Sequence, residues 1–239
     1  MGLVSAMAHP FHAAIFSLLL LPLAGAGLDF GETTRELHAA PDQNVITTDI
    51  DFKNTSGKTV TIERYEATCS CMGVKVKGGK LQYAPGESGV LRTTFDMRNF
   101  VGDTQKAIDI VMAGDGLEKE TVTLDFNIHI PVLVVIEPRT LSWDIGEAAK
   151  PKKFEITMNH SEPIHVKSVQ CGKDAFAFQL TTIEEGKRYE ITATPKSTAG
   201  PELAVISVIT DCKIERQATQ RIFTVVRPKT PRSEAPPQE

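Results

Sequence analysis

The chain has 239 residues, with 26 Lys and Arg against 30 Asp and Glu, a formal net charge of −4 and an ordinary globular share of hydrophobic residues. That length suits one large domain or two small ones. The acidic balance carries no basic stripe for nucleic acid, and no run long enough for repeated membrane crossing appears.

The N-terminal stretch is an address. His12–Gly27 reads HAAIFSLLLLPLAGAG, an apolar core followed by Pro22 and the small-x-small site Ala24-Gly25-Ala26. This predicts a signal helix over residues 1–26, cleaved after Ala26, and export to the periplasm or beyond. No Lys or Arg precedes the apolar core, so an uncleaved anchor helix is the alternative. At the other end, residues 229–239 continue a segment rich in Pro and charge (RPKTPRSEAPPQE from Arg227) that lacks the apolar surface to order itself, which predicts a disordered tail.

Between these ends hydrophobicity alternates with period two. Ile46, Thr48, Ile50 and Phe52 alternate with Thr47, Asp49, Asp51 and Lys53; Val122, Leu124, Phe126, Ile128 and Ile130 alternate with Thr121, Thr123, Asp125, Asn127 and His129. Val60–Ile62 and Ile108–Met112 follow the same rule, and Asn54-Thr-Ser-Gly57, Pro85-Gly-Glu-Ser88 and Gly114-Asp-Gly116 punctuate them. Half-buried strands have this period and helices do not, so the expectation is an all-β antiparallel sandwich. Asn54 to Gly57 is expected to close a hairpin through positive φ angles.

The pattern recurs about 100 residues on, a usual length for a seven-stranded sandwich. Leu28-Asp-Phe30-Gly-Glu32 is echoed by Leu141-Ser-Trp143-Asp-Ile145-Gly-Glu147. The strands Val90–Asp96 and Lys106–Met112 are echoed by Tyr189–Pro195 and Ala204–Thr210, and Cys69 by Cys171. Two tandem sandwiches are therefore expected over residues 27–131 and 132–228, with a short linker near Pro131.

Phe52-x-Asn54-x-x-Gly-Lys-x-Val60-x-Ile62, Ala67-Thr-Cys-Ser-Cys71, Ala84-Pro-Gly-Glu-Ser-Gly89 and Thr94-Phe-Asp-x-Arg-Asn99, in that order, resemble a bacterial family of unknown function, number 1573. The resemblance covers residues 45–112. It implies an immunoglobulin-like sandwich of the major-sperm-protein type, in many members exported, and no established reaction. Ser70 and Met72 depart from the more usual Cys-Gly-Cys-Thr form, and the second copy lacks the Pro-Gly-Glu-Ser turn.

The four cysteines are the chemistry open to argument. Alternating strand directions place the end of the strand before Cys171 and the loop holding Cys212 on one rim, so a Cys171–Cys212 bridge is expected, worth about 2–4 kcal/mol. Cys69 and Cys71 would lie about 6.5–7 Å apart in an extended strand, so bridging them needs a local kink. Three readings compete for them: small rim fillers, bridged on oxidation; a thiol-redox site; or a soft-metal site of Cys69, Cys71, Met72 and Met112, whose thiolate and thioether donors suit copper. No nucleophile elbow, phosphate loop or His-rich zinc spacing is present. The leading expectation is a non-catalytic envelope protein, with no cofactor, that binds an unidentified protein partner through exposed strand edges. In this reading the mature chain has no integral membrane span and no nucleic-acid ligand. The alternative is a copper-binding or thiol-redox protein acting through Cys69 and Cys71.

Overall fold

The structure, a computed structural model, describes residues 27–229 except Asp115. The expected signal helix and the tail beyond Lys229 lie outside the described residues. Alternation of apolar side chains becomes strand almost everywhere, in the order β1 (Leu28–Asp29), β2 (Thr34–His38), β3 (Val45–Asn54), β4 (Val60–Ala67), β5 (Met72–Val76), β6 (Gln82–Tyr83), β7 (Ser88–Asp96), β8 (Gly102–Gly114) and β9 (Leu117–Ile130). The chain continues with β10 (Val134–Glu137), β11 (Thr140–Asp144), β12 (Lys152–Met158), β13 (Val166–Cys171), β14 (Phe176–Glu184), β15 (Arg188–Pro195), β16 (Glu202–Thr210), the one-turn helix α1 (Glu215–Ala218) and β17 (Thr219–Arg227). No helix among the described residues is long and apolar enough to cross a membrane.

The first sandwich packs the sheet β1-β3-β7-β5 on the sheet β2-β9-β8-β4-β6. The second packs β10-β12-β15-β14 on β11-β17-β16-β13. Every second residue faces the space between sheets. Ile46, Ile50 and Phe52 of β3 meet Leu124, Phe126 and Ile128 of β9 in one core, and Phe154 and Ile156 of β12 share a second core with Ile206, Ile222 and Trp143. Trp143 is fully buried, and its Nε1 donates to Lys150 O at 2.8 Å, so its one polar atom is satisfied.

The two bodies repeat one topology. Each opens with a strand that pairs antiparallel in one sheet (β1 with β3, β10 with β12), then crosses to pair parallel with the last strand of the other (β2 with β9, β11 with β17). This corrects one echo in the sequence. Leu141–Trp143 lies in β11, the counterpart of β2, whereas Leu28 lies in β1, the counterpart of β10. Similar residues stand there because both are short strands entering a core.

The hairpin at Asn54 also differs from expectation. Neither Asn54 nor Gly57 has a positive φ. Asn54 is the buried last residue of β3 and works through its side chain. Its Nδ2 donates to Lys58 O and Tyr83 O, both at 2.8 Å, and its Oδ1 accepts from Ser56 N at 2.9 Å and Ser56 Oγ at 2.7 Å. The turn at Gly86 does need glycine: φ is 78°, and its N–H donates to Asn54 O at 2.9 Å.

The loop between β16 and β17 joins the sandwiches. Gln217, fully buried in α1, accepts from Leu133 N at 2.6 Å and donates to Pro131 O at 2.8 Å. Beside it, Arg216 donates to Asn44 Oδ1 at 3.0 Å and to Pro41 O, both in the β2–β3 loop of the first sandwich.

Candidate functional sites

Thr68 leaves β4 by bonding back to Ala107 of β8, and Cys69-Ser-Cys71-Met72 turns sharply, with Met72 N donating to Cys69 O at 3.2 Å. This turn is the kink that an extended Cys-x-Cys lacks. It brings the two Cα atoms to 5.3 Å, and Cys69 and Cys71 are joined as a disulfide. Asp96 N donates to Cys71 O at 2.9 Å, tying the turn to the end of β7. A bridge closing so short a loop removes little chain entropy. The double variant Cys69→Ser, Cys71→Ser should lose only about 1.5 kcal/mol, read as a small fall in the denaturation midpoint of the first sandwich.

The four proposed soft-metal ligands do not converge. Met112 is buried in β8 opposite Ile62, whereas the Cys turn follows Ala67, which lies opposite Ile108. About five residues of strand, roughly 16 Å, separate Met112 from the turn. Met72 is buried in the core, and both thiols are consumed in the bridge. Among the described residues no group of three His, Cys, Asp or Glu side chains is placed to hold a metal ion.

The expected Cys171–Cys212 bridge is likewise corrected: both are free thiols, half-buried against the second core. The register explains why. Cys171, at the end of β13, faces Ile206, while Cys212 follows Thr210, which faces Val166 at the start of β13. The two therefore sit at opposite ends of an antiparallel pair, about 16 Å apart along it, far beyond disulfide reach. An extra strand causes both errors. β5 in the first sandwich and β14 in the second each add one reversal that the alternation did not reveal, so the later strands run opposite to the expected direction.

The alternation of β9 puts His129 on the polar face of its strand. On that face its Nε2 lies 2.8 Å from Glu36 Oε2 of β2 and its Nδ1 2.9 Å from Asp103 Oδ1 of β8, while His38 stacks on its ring at 4.7 Å. Carboxylates only accept, so both contacts are hydrogen bonds only when both ring nitrogens carry protons. The Glu36 hydrogen bond, then that of Asp103, raises the His129 pKa above its ordinary 6.5, and Asn127 and His129 hold the Glu36 carboxyl below its usual range. Because the folded pKa is raised, this contribution is complete below about pH 6.5 and fades as pH rises through the folded value. Hydrogen-exchange protection of β2, corrected for intrinsic rates, should fall over that rise, and His129→Gln should flatten the dependence. Only the register of β2 on β9, with Glu36 beside Asn127 and His38 beside His129, makes this cluster, so the sequence spacing held no signal for it.

Two surfaces of the second sandwich expose several large apolar side chains. The outer face of β3 and β7 is charged; Arg92 grips Asp49 through two bonds of 2.6 and 2.7 Å and holds its carboxyl well below the usual range. The outer face of β16 and β17 instead sets Leu203 opposite Val225 and Val205 opposite Phe223, with Leu203, Val205 and Phe223 exposed. The second surface is the free edge of β14. Phe176, Phe178 and Leu180 point to the core side, in register with buried Pro195, Ala193 and Ile191, yet Leu180 is 38% exposed and Ile183 53%.

Paired sheets, strand-crossing first segments and a Cys-x-Cys turn define an immunoglobulin-like β-sandwich protein. Residues 28–128, the span of the first sandwich, match the sequence model of the family described as Protein of unknown function (DUF1573). No curated protein matches the chain. Among solved structures it is similar to the Vibrio cholerae VesB protease (14% identity, TM-score 0.36, covering 40% of this chain and 30% of that one). A protein of unknown function from Porphyromonas gingivalis W83 aligns at 12% identity and TM-score 0.35, over 84% of this chain and 99% of its own. The ASH / PapD-like domain 7 of human CEP192 aligns at 10% identity and TM-score 0.36, over 52% of this chain and 97% of its own.

Proposed function

We propose that this is an exported, non-catalytic protein-binding scaffold, and that it takes an extended segment of its partner as an added strand on the edge of β14. One observation carries the reading. β14 is nine residues long, stands last in its sheet, and offers an unpaired row of backbone groups beside exposed Leu180 and Ile183. Edge strands of this kind accept another strand through main-chain hydrogen bonds, with side chains on alternate positions adding selectivity. Export is supported by the apolar leader and its small-x-small site. The two sandwiches, joined through Gln217 and Arg216, would present this edge on a firm base.

The test is hydrogen exchange with a nine-residue peptide of alternating Thr and Val. Added as a strand, it slows exchange of the amides in residues 176–184 and leaves those of β5 and β13 unchanged. Protection confined to loops, or none at β14 in protein that sediments as a monomer, overturns the reading. Mass measurement of the secreted protein should find Gly27 as its first residue.

A further inference from the structure

We infer that the strand received by β14 is β14 of a second copy of this chain, paired antiparallel about a two-fold axis, so that two four-stranded sheets become one of eight. The inference rests on the strand-addition reading and names its partner.

Edges that must stay single are shortened, charged or bent. Here β1 and β6 have two residues each, and β10 has four and is followed by Pro138. β2 carries Arg35 and Glu36, β5 carries Lys75, and β13 carries Lys167 and a register irregularity between Val166 and Ser168. β11 is five residues long. β14 is the least guarded of the described edges: nine residues, no Pro, no Gly, and a single charge, Glu184, at its C-terminal end, where its one register irregularity, between Thr182 and Glu184, also lies.

The position of that charge favours a second copy. An antiparallel twin centred on Leu180 sets Phe178 opposite the twin's Thr182 and Leu180 opposite Leu180, with the irregularity between Thr182 and Glu184 lying outside this paired centre. No like charges meet, because a two-fold axis carries the charged end of one strand to the uncharged end of the other. Opposed residues share the same parity, so core-facing side chains of one copy meet core-facing side chains of the other. The exposed part of Leu180 is then covered by its own twin. A contact using one patch twice closes on itself and stops at two copies.

Sedimentation of the whole protein from low to high micromolar concentration reads the outcome. Self-pairing predicts a reversible species of twice the monomer mass. Leu180→Lys, which sets two ammonium groups across the axis, should raise the dimer dissociation constant about tenfold or more. Because Leu180 is partly exposed in the monomer and lies at a sheet edge, the variant should keep the parent's far-ultraviolet spectrum and a cooperative denaturation transition, which separates lost pairing from lost folding. In a Cys171→Ser, Cys212→Ser background, Leu180→Cys should cross-link to itself with a short bifunctional maleimide. A monomer at every concentration, or a dimer indifferent to Leu180→Lys and not cross-linked, overturns the proposal. A monomer whose β14 is still protected by the Thr-Val peptide rejects self-pairing alone; one without that protection rejects strand addition as well.

Discussion

Asn54→Asp should unfold the first sandwich or leave it barely stable. The side chain is fully buried at the end of β3, and all four of its hydrogen-bonding positions are used. Its amide nitrogen is the donor to the carbonyls of Lys58 and Tyr83. Aspartate places an oxygen there, so the carbonyls of Lys58 and Tyr83 face an acceptor, and a charge enters a fully buried position. Leaving buried partners unsatisfied costs about 1–3 kcal/mol each, so a loss of about 4 kcal/mol or more is expected against a total stability of about 5–15 kcal/mol. Asn54→Ala should be milder, at about 3 kcal/mol, since it removes partners without adding repulsion. Urea denaturation of the two variants checks both the size and the order. Equal losses would mean that the lost packing, and not the donor geometry, matters at this site.

Gln217→Met should loosen the junction between the sandwiches. Methionine keeps the volume and the apolar stem but supplies neither the acceptor for Leu133 N nor the donor for Pro131 O. Both backbone groups then lie unpaired against a buried side chain, at a cost of about 2–4 kcal/mol. Leu133 is itself held on its other side, its carbonyl accepting from Asn159 N at 2.7 Å, so the defect is felt at the end of β12 as well. The variant should show an earlier unfolding transition for the second sandwich and a broader range of inter-domain angles in solution scattering. Arg216→Ala, which removes an exposed bond to Asn44 and a part-buried one to Pro41, should cost about 1 kcal/mol, less than Gln217→Met. A Gln217→Met protein with parental unfolding and scattering would show that the linker is held by packing alone.

Single strands were legible because their signal is local. Phe52, Ile62, Ile110 and Phe126 each sit in an alternating run, and each is buried. β5 and β14 were not readable from that alternation. Met72–Val76 is only five residues long and contains Gly73, and β14 is exposed along most of its length, so neither needed a strongly alternating sequence. The role of Asn54 was misread for a different reason. A turn-forming residue type was visible, but its burial, and so its use as a side-chain hub, depends on Tyr83, 29 residues away.

By itself, the sequence determined that this chain makes paired sheets with one apolar face each, and that a Cys-x-Cys stands between two strands of the first. Side-chain alternation is a property of neighbours along the chain, so it survives without knowledge of the fold. Which ends of strands meet is a different kind of quantity. It depends on the number of chain reversals in between, and one short extra strand inverts it. Only the tertiary structure could decide that Cys69 meets Cys71, that Cys171 and Cys212 stand apart, that His129 lies between Glu36 and Asp103, and that β14 is left as an open edge.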